Sequence, residues 1–232
     1  MPDQDKNDIY LDKLNNKTLF KPHIMKVLLL CGYKTTGKDS IFIKITQNVG
    51  YQWRVYSSCD VNLKEFSNAS RLAFADLLKH EVSCQYNIPS YIPDSEKEKK
   101  QFVHDGVLVS ARDLYIKWAN IKRDEDIDYW VKKAYDNVDE EQNIIVTDLR
   151  QHNELNYTHH SKLFNNITTM RLFRSEVPIP PLNISSEHQL DDLVTDIICI
   201  PEQYDDELNA REFELCIQQF PQYNNYTYHY NI

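Results

Sequence analysis

The most constraining stretch of this chain lies between residues 26 and 49. An apolar run, Val27-Leu28-Leu29-Leu30-Cys31, passes directly into Gly32-Tyr33-Lys34-Thr35-Thr36-Gly37-Lys38-Asp39-Ser40. An amphipathic segment follows, in which Ile41, Ile45 and Val49 share one face with Phe42 beside them. A buried strand, a glycine loop and a helix in that order open a parallel α/β sheet. The chain has only four glycines, and two of them stand here at the spacing G-x-x-x-x-G-K. Glycine lets the backbone turn tightly and approach a ligand with no Cβ in the way. A loop of this kind wraps backbone N–H groups around a nucleotide β-phosphate while the lysine reaches the β and γ oxygens. The usual Ser/Thr after the lysine is Asp39, and the hydroxyl comes one place later, at Ser40.

Composition narrows the classes. A length of 232 residues suits one α/β domain with an inserted lid. A net charge of −9 argues against a general nucleic-acid binder, so any polyanionic ligand requires cations gathered locally. Cys31, Cys59, Cys84, Cys199 and Cys216 are scattered, with no C-x-x-C pair, which fits reduced thiols in a cytosol-like compartment. No apolar stretch reaches membrane-spanning length, and the polar residues 1–24 lack a signal-peptide core. They read as a loosely attached extension before Met25.

Along the chain, residues 51–67 read as irregular, with an aromatic patch at Tyr51, Trp53 and Tyr56. Residues 70–75 read as a short strand running into a helix over 76–86. Residues 87–106 hold Pro89, Pro93 and a charge run at 96–100, taken as a solvated face. Helices are expected over 111–118 and 127–137, the first with Ala111, Leu114, Tyr115 and Trp118 on one face, the second with Trp130, Val131 and Ala134. Strands are expected over 143–147, 168–173 and 196–200, with helices over 154–163 and 207–220. Strands alternating with helices give a three-layer α/β sandwich, its mostly parallel sheet covered on both faces. The main domain spans 25–221, with a small lid region over 174–190, and the Tyr/Asn-rich tail 222–232 shows no period.

Ile144-Ile145-Val146-Thr147-Asp148 is a hydrophobic strand ending in a carboxylate. Ligands of parallel sheets bind at strand carboxyl ends, so Asp148 is expected to face the glycine loop and hold Mg²⁺ through water. Lys79, Arg112, Arg150 and Arg174 each stand just beyond or at the start of an expected element, and together they are the cations two clustered phosphate groups need. Trp118 and Trp130 lie on apolar helical faces, which fits core packing, with stacking on a base as the alternative. His159-His160 has no third ligand at useful spacing, so no metal site is read there.

Five stretches resemble deoxynucleoside monophosphate kinases of the bacteriophage and large-DNA-virus type, members of the P-loop kinase superfamily. Gly32–Ser40 is similar to their phosphate loop, in which Asp after the lysine is usual. Residues 71–79 (Arg-Leu-Ala-Phe-Ala-Asp-Leu-Leu-Lys) resemble their strand-to-helix segment, and residues 109–120, from Val109 to Asn120, their arginine-bearing helix. Asp128-Tyr129-Trp130-Val131-Lys132 and Thr147-Asp148-Leu149-Arg150 match two further blocks, so the resemblance covers roughly residues 26–201. It differs at Ala119, where the family commonly has glycine, and in the length of segment 50–68.

The resemblance implies a P-loop NTPase fold and transfer of the ATP γ-phosphoryl to a deoxynucleoside monophosphate, with Mg²⁺ as cofactor. Gly32, Lys34, Thr35, Thr36, Gly37, Lys38, Asp39 and Ser40 would then meet ATP, with Asp39, Ser40 and Asp148 on the metal side. Lys79, Arg112, Asn120, Trp130 and Arg150 would meet the acceptor nucleotide. Lys38, Asp148, Arg150 and the lid arginine Arg174 would carry catalysis. Expected partners are ATP and a deoxynucleoside monophosphate, with no nucleic acid or membrane and a homodimer allowed, in the cytoplasm (of the host, for a viral protein). Two alternatives stay open: a phosphomevalonate kinase-like enzyme, which shares the Gly-Lys-Asp loop, and a non-catalytic nucleotide-binding module.

Overall fold

The structure is a computed structural model and describes residues 25–93 and 95–232. The extension over residues 1–24 lies outside the described residues. Strand β1 (Met25–Cys31) runs through the middle of the sheet with Val27, Leu28, Leu29 and Leu30 all fully buried. A strand buried on both faces needs helices on both sides, and its sequence reads as a continuous apolar run for that reason.

The sheet has seven strands in the order β3 (Ser70–Leu72), β6 (Ile144–Val146), β1, β7 (Phe164–Leu172), β8 (Ile197–Pro201), β2 (Trp53–Ser57), β9 (Thr227–Asn231). The first five run parallel, with Val27 opposite both Ile144 and Ile167. β2 is antiparallel to β8 and to β9. Among the described residues seven helices flank or connect the strands: α1 (Lys38–Gln47), α2 (Phe74–Tyr86), α3 (Ala111–Glu125), α4 (Tyr129–Tyr135), α5 (His152–His160), the single-turn α6 (Ser185–His188) and α7 (Asp206–Gln219).

Alternate residues of β1 feed two cores. Val27, Leu29 and Cys31 meet Phe74 of α2, Val131 and Ala134 of α4, and Leu155 of α5. Leu28 and Leu30 face the other way, onto Ile41 of α1, Trp53 and Phe66. Near the far edge, Ile198 and Ile200 pack with Cys216, Phe220 and Tyr223. A satellite cluster joins α2, α3 and a hairpin, β4 (Gln101–His104) with β5 (Val107–Ser110), through Val82, Ala111 and Leu114. Among the described residues no helix is long and apolar enough to cross a membrane.

Three segments differ from the sequence reading. The irregular stretch over 51–67 contains β2, with Trp53 wholly buried. The solvated region over 87–106 contains β4, whose turn into β5 passes through Asp105 and Gly106 in left-handed geometry. The tail supplies β9: the Trp53 N–H donates to the Ile232 carbonyl and the Ile232 N–H returns the bond, both at 2.9 Å. A smaller difference concerns Val49. Helix α1 ends at Gln47 with Asn48 in the left-handed capping position, so Val49 is exposed rather than on the packed face.

β9 is held to the body by Tyr230, which packs against the Trp53 core and donates its hydroxyl hydrogen to the Val61 carbonyl at 3.0 Å. Replacing Tyr230 with Ala removes that ring and the tie to residue 61. The expected loss is about 2–4 kcal/mol of stability, read by urea unfolding; a change within error would show that β9 is dispensable.

Candidate functional site

The parallel strands β6 and β7 lie on either side of β1, so connections leave the carboxyl end of the sheet in opposite directions there. Crevices of this kind are where open α/β sheets bind ligands. The Gly32–Lys38 loop fills this place. Gly32 has φ +137°, and a Cβ on it would come 2.7 Å from the Leu172 carbonyl oxygen of β7. Gly37 has φ +101°, and a Cβ there would come 3.0 Å from Cη2 of Trp53. Between them Thr35 is left-handed, at φ +70°. For a β-branched residue that is an outlier costing about 1–3 kcal/mol, the kind of local strain that collects in ligand-binding loops.

Helix α1 starts at Lys38 with no side-chain cap, leaving N–H groups of its first turn without an intrahelical partner. The Lys38 ammonium folds back on the loop, donating to the carbonyls of Gly32 (2.7 Å) and Tyr33 (2.9 Å). Burial and then the nearby Arg150 guanidinium pull its pKa down to about 8. Thr36 is spent inside the loop, its hydroxyl donating to the Tyr33 carbonyl at 2.9 Å.

Asp148 lies just past β6 and gives both carboxylate oxygens to the start of α2. Its Oδ1 accepts from the Phe74 N–H (2.9 Å) and its Oδ2 from the Ala75 N–H (2.8 Å). Ala73, at the capping position of α2, has no side-chain oxygen to offer, so Asp148 does that work from across the chain. Burial raises its pKa, against the pull of those two N–H groups. Asp39 points to Arg71 of β3 (3.0 Å), which also binds Asp76, and Asp76 in turn accepts from Lys79 at 2.7 Å. Ser40 is exposed beside it. Among the described residues no three His, Cys, Asp or Glu side chains group as a metal site. The donors present are oxygens, which suit a mostly hydrated Mg²⁺ bound through phosphates.

From the loop opens a cavity of about 820 Å³. One long wall is α3, whose Arg112, Tyr115, Ile116, Ala119, Asn120, Arg123 and Asp124 recur every three to four residues and so share a face. Phe74, Ala75 and Lys79 of α2 line it, as do Trp130, Asp148 and Arg150. Six cations thus surround it, Lys34, Lys79, Lys97, Arg112, Arg123 and Arg150, in a chain whose net charge is −9. All five residues expected on the acceptor side therefore line one space. Trp130 is a core residue as well: it is 3% exposed, and its indole N–H donates to the Ala119 carbonyl at 3.4 Å.

Arg174 stands elsewhere. Beyond the end of β7 its guanidinium lies 5.5 Å from the Trp53 ring centre and 5.9 Å from that of Tyr51, and it does not line the cavity. It adjoins the loop on the side of Gly37, because Trp53 touches both. Sequence reading missed Arg123, Tyr115 and Glu187. Tyr115 falls within the Arg112–Asn120 stripe and Arg123 extends it by one helical turn, so the pattern was present. Burial pulls the Arg123 pKa down, and the Tyr115 hydroxyl is buried with no hydrogen-bond partner among the described residues. Glu187 sits on one turn of helix that no periodicity announces. Glu154, at the start of α5, accepts the backbone N–H groups of Arg150 and Gln151 on one oxygen, and burial pushes its pKa up to about 7.

Scanned against protein-family models the chain matches none, and no curated protein sequence matches it. Its function has to be argued from residues and geometry.

Two expectations follow from Lys38 and Asp148. A bound polyphosphate stabilises the Lys38 ammonium and raises its pKa, so above pH 8 binding must take up a proton. Affinity for ATP should therefore hold steady at pH 7–7.5 and fall from about pH 8 upward, by up to about tenfold per pH unit. Calorimetric titration at several pH values checks this, and Lys38→Met should abolish the slope. Asp148→Ala should lower stability by about 1–2 kcal/mol by uncapping α2, read by urea unfolding. Unchanged stability would remove the capping role.

Proposed function

We propose that this chain is a P-loop kinase that moves the γ-phosphoryl of ATP onto the 5′-phosphate of a deoxynucleoside monophosphate, giving ADP and the deoxynucleoside diphosphate. One observation carries the reading: a glycine loop at the head of a helix opens onto a nucleotide-sized cavity lined by six cations and four carboxylates. The P-loop NTPase sandwich belongs to the same proposal, supported by the loop following a central β1 flanked by β6 and β7. All five cysteines are free thiols, which suits a cytoplasmic setting.

The chemistry matches the side chains at hand. The acceptor oxygen belongs to a phosphate already anionic near neutral pH, so no general base is needed. Its bond to the γ-phosphorus forms as the bond from that phosphorus to the bridging oxygen of ADP breaks, and the site must neutralise charge spread over the transferring group. Lys38, swinging off the Gly32 and Tyr33 carbonyls, reaches the donor oxygens. Arg112 and Arg150 orient the acceptor phosphate with their planar forks, Lys79 adds charge, and Asn120 and Trp130 meet the nucleoside. Ser40 and Asp148 would hold Mg²⁺, which when bound neutralises donor-phosphate charge. Arg174, stacked over Trp53 beside Gly37, belongs to the ATP side.

An aromatic wall of Trp130 and Tyr115 next to Asn120 suits a base-bearing acceptor better than a mevalonate phosphate. The test is an ADP-release assay across the four common dNMPs, dUMP, the ribonucleotides and mevalonate phosphate. We expect turnover with at least one dNMP. Lys38→Ala should then lower kcat by ~10²–10³, about 3–4 kcal/mol, with an unchanged circular dichroism spectrum. Arg112→Ala should raise KM for the acceptor while KM for ATP stays constant, and Arg112→Lys should recover little. No turnover with any dNMP, or turnover with mevalonate phosphate alone, overturns the proposal.

A further inference from the structure

The loop's hydrogen bonds include one from an unexpected source. The N–H of Lys34, a donor of the glycine loop, is bound at 3.1 Å by Oε2 of Glu187, a residue 153 positions away on the single turn α6. The other oxygen of the same carboxylate, Oε1, accepts from Nη1 of Arg150 at 2.5 Å. The Glu187 side chain is only 11% exposed while Arg150 is 40% exposed, so the carboxylate sits inward of the guanidinium. It lies close enough to Lys38 to stabilise that ammonium. A backbone N–H of the glycine loop and an arginine Nη1 bound to one anion, with an ammonium nearby, make a phosphate-binding arrangement.

The segment bearing Glu187 is fastened to the loop at further points. His188 sits between the Asp191 carboxylate (2.7 Å from Nδ1) and the Pro180 carbonyl (2.9 Å from Nε2), with its ring edge-on to Tyr33. Asp191 also accepts the Tyr33 hydroxyl hydrogen at 2.9 Å. Tyr33 and Lys34 are consecutive loop residues, so the loop and residues 180–191 are stitched together side by side. Leu190 anchors the far end of this segment in the core, where its carbonyl accepts from Arg171, while the contacts of Glu187 itself are polar and can exchange for ligand contacts.

We propose that Glu187 is an internal stand-in for phosphate: its carboxylate occupies an oxyanion position shared by the loop and Arg150, and a polyphosphate must displace it, with residues 183–188 moving off the loop. This inference rests on the phosphate-binding reading of the loop and not on phosphoryl transfer. A carboxylate offers the same kind of acceptor oxygens as a phosphate but only one negative charge. It therefore satisfies the donors while yielding to a more highly charged competitor. The apparent affinity for a ligand is reduced by the fraction of molecules whose site is open.

The test uses the full chain and tripolyphosphate as probe. Glu187→Gln keeps the size of the side chain and removes its charge. If the carboxylate holds the position about nine-tenths of the time, this variant binds tripolyphosphate about tenfold more tightly than the wild type by calorimetry. Equal or weaker binding overturns the proposal, leaving Glu187 a structural tether. Absence of binding to either protein overturns it together with the phosphate reading of the loop. Tighter binding to the variant with no turnover of any dNMP supports it and removes only the kinase. Hydrogen exchange on the wild type gives an answer independent of the variant's folding. The amides of Glu187 and Asp191, bonded to the Ile184 and His188 carbonyls, should exchange faster at saturating tripolyphosphate. Unchanged or slower exchange overturns the proposal.

Discussion

A carbonyl of β7 and an indole ring press on the glycine loop from two sides. The Leu172 oxygen comes so close to Gly32, and the Trp53 ring so close to Gly37, that neither position admits a Cβ without movement. Both glycines are also left-handed, and the strained Thr35 between them persists because its surroundings leave it no alternative. The loop's shape is therefore dictated by the sheet beneath it and not by loop chemistry alone. The direction of its N–H groups, the start of α1 and the reach of Lys38 all follow from that fit.

Charge at this place is balanced inside the protein. Lys38 leans on carbonyls, Arg71 joins Asp39 to Asp76, and Asp148 serves the amides of α2. Of the cations that line the cavity, Lys79 is held by Asp76 and Arg150 by Glu187.

Some of this was legible in the sequence and some was not. β1, the loop and α1 were readable because a strand buried on both faces is apolar at every position and the glycine spacing is fixed. Lys34, Lys79, Arg112, Asn120, Trp130, Asp148 and Arg150 line one cavity, and the resemblance assigns five of them, Lys79, Arg112, Asn120, Trp130 and Arg150, to one substrate. β2 was missed because Arg54 and Ser57 interrupt its apolar run, although Ser57 is buried in the sheet. β9 is an edge strand, half solvated, and its Tyr-His-Tyr pattern carries no clear alternation. The β4–β5 hairpin did announce itself through Asp105-Gly106, a strong turn signal, but it follows directly on a charge run that suggested a loop. Asp148 shows a different limit: sequence gives a carboxylate at a strand end, and only packing reveals that both oxygens serve the start of α2.

The pairing of Trp53 with Ile232 also sets an order in time. The ring that shapes the second glycine of the loop belongs to a strand completed by residues near position 230, so the contact closes over most of the described chain. Contacts between residues so distant in sequence form late, since the entropy of closing the loop must be met before they add stability. The glycine loop is encoded near the start of the core, yet the strand that presses Trp53 onto it is paired on one side by the last residues of the chain. A chain that has paired β1, β6 and β7 but not β9 has the middle of the sheet while one edge of the Trp53 strand is still open.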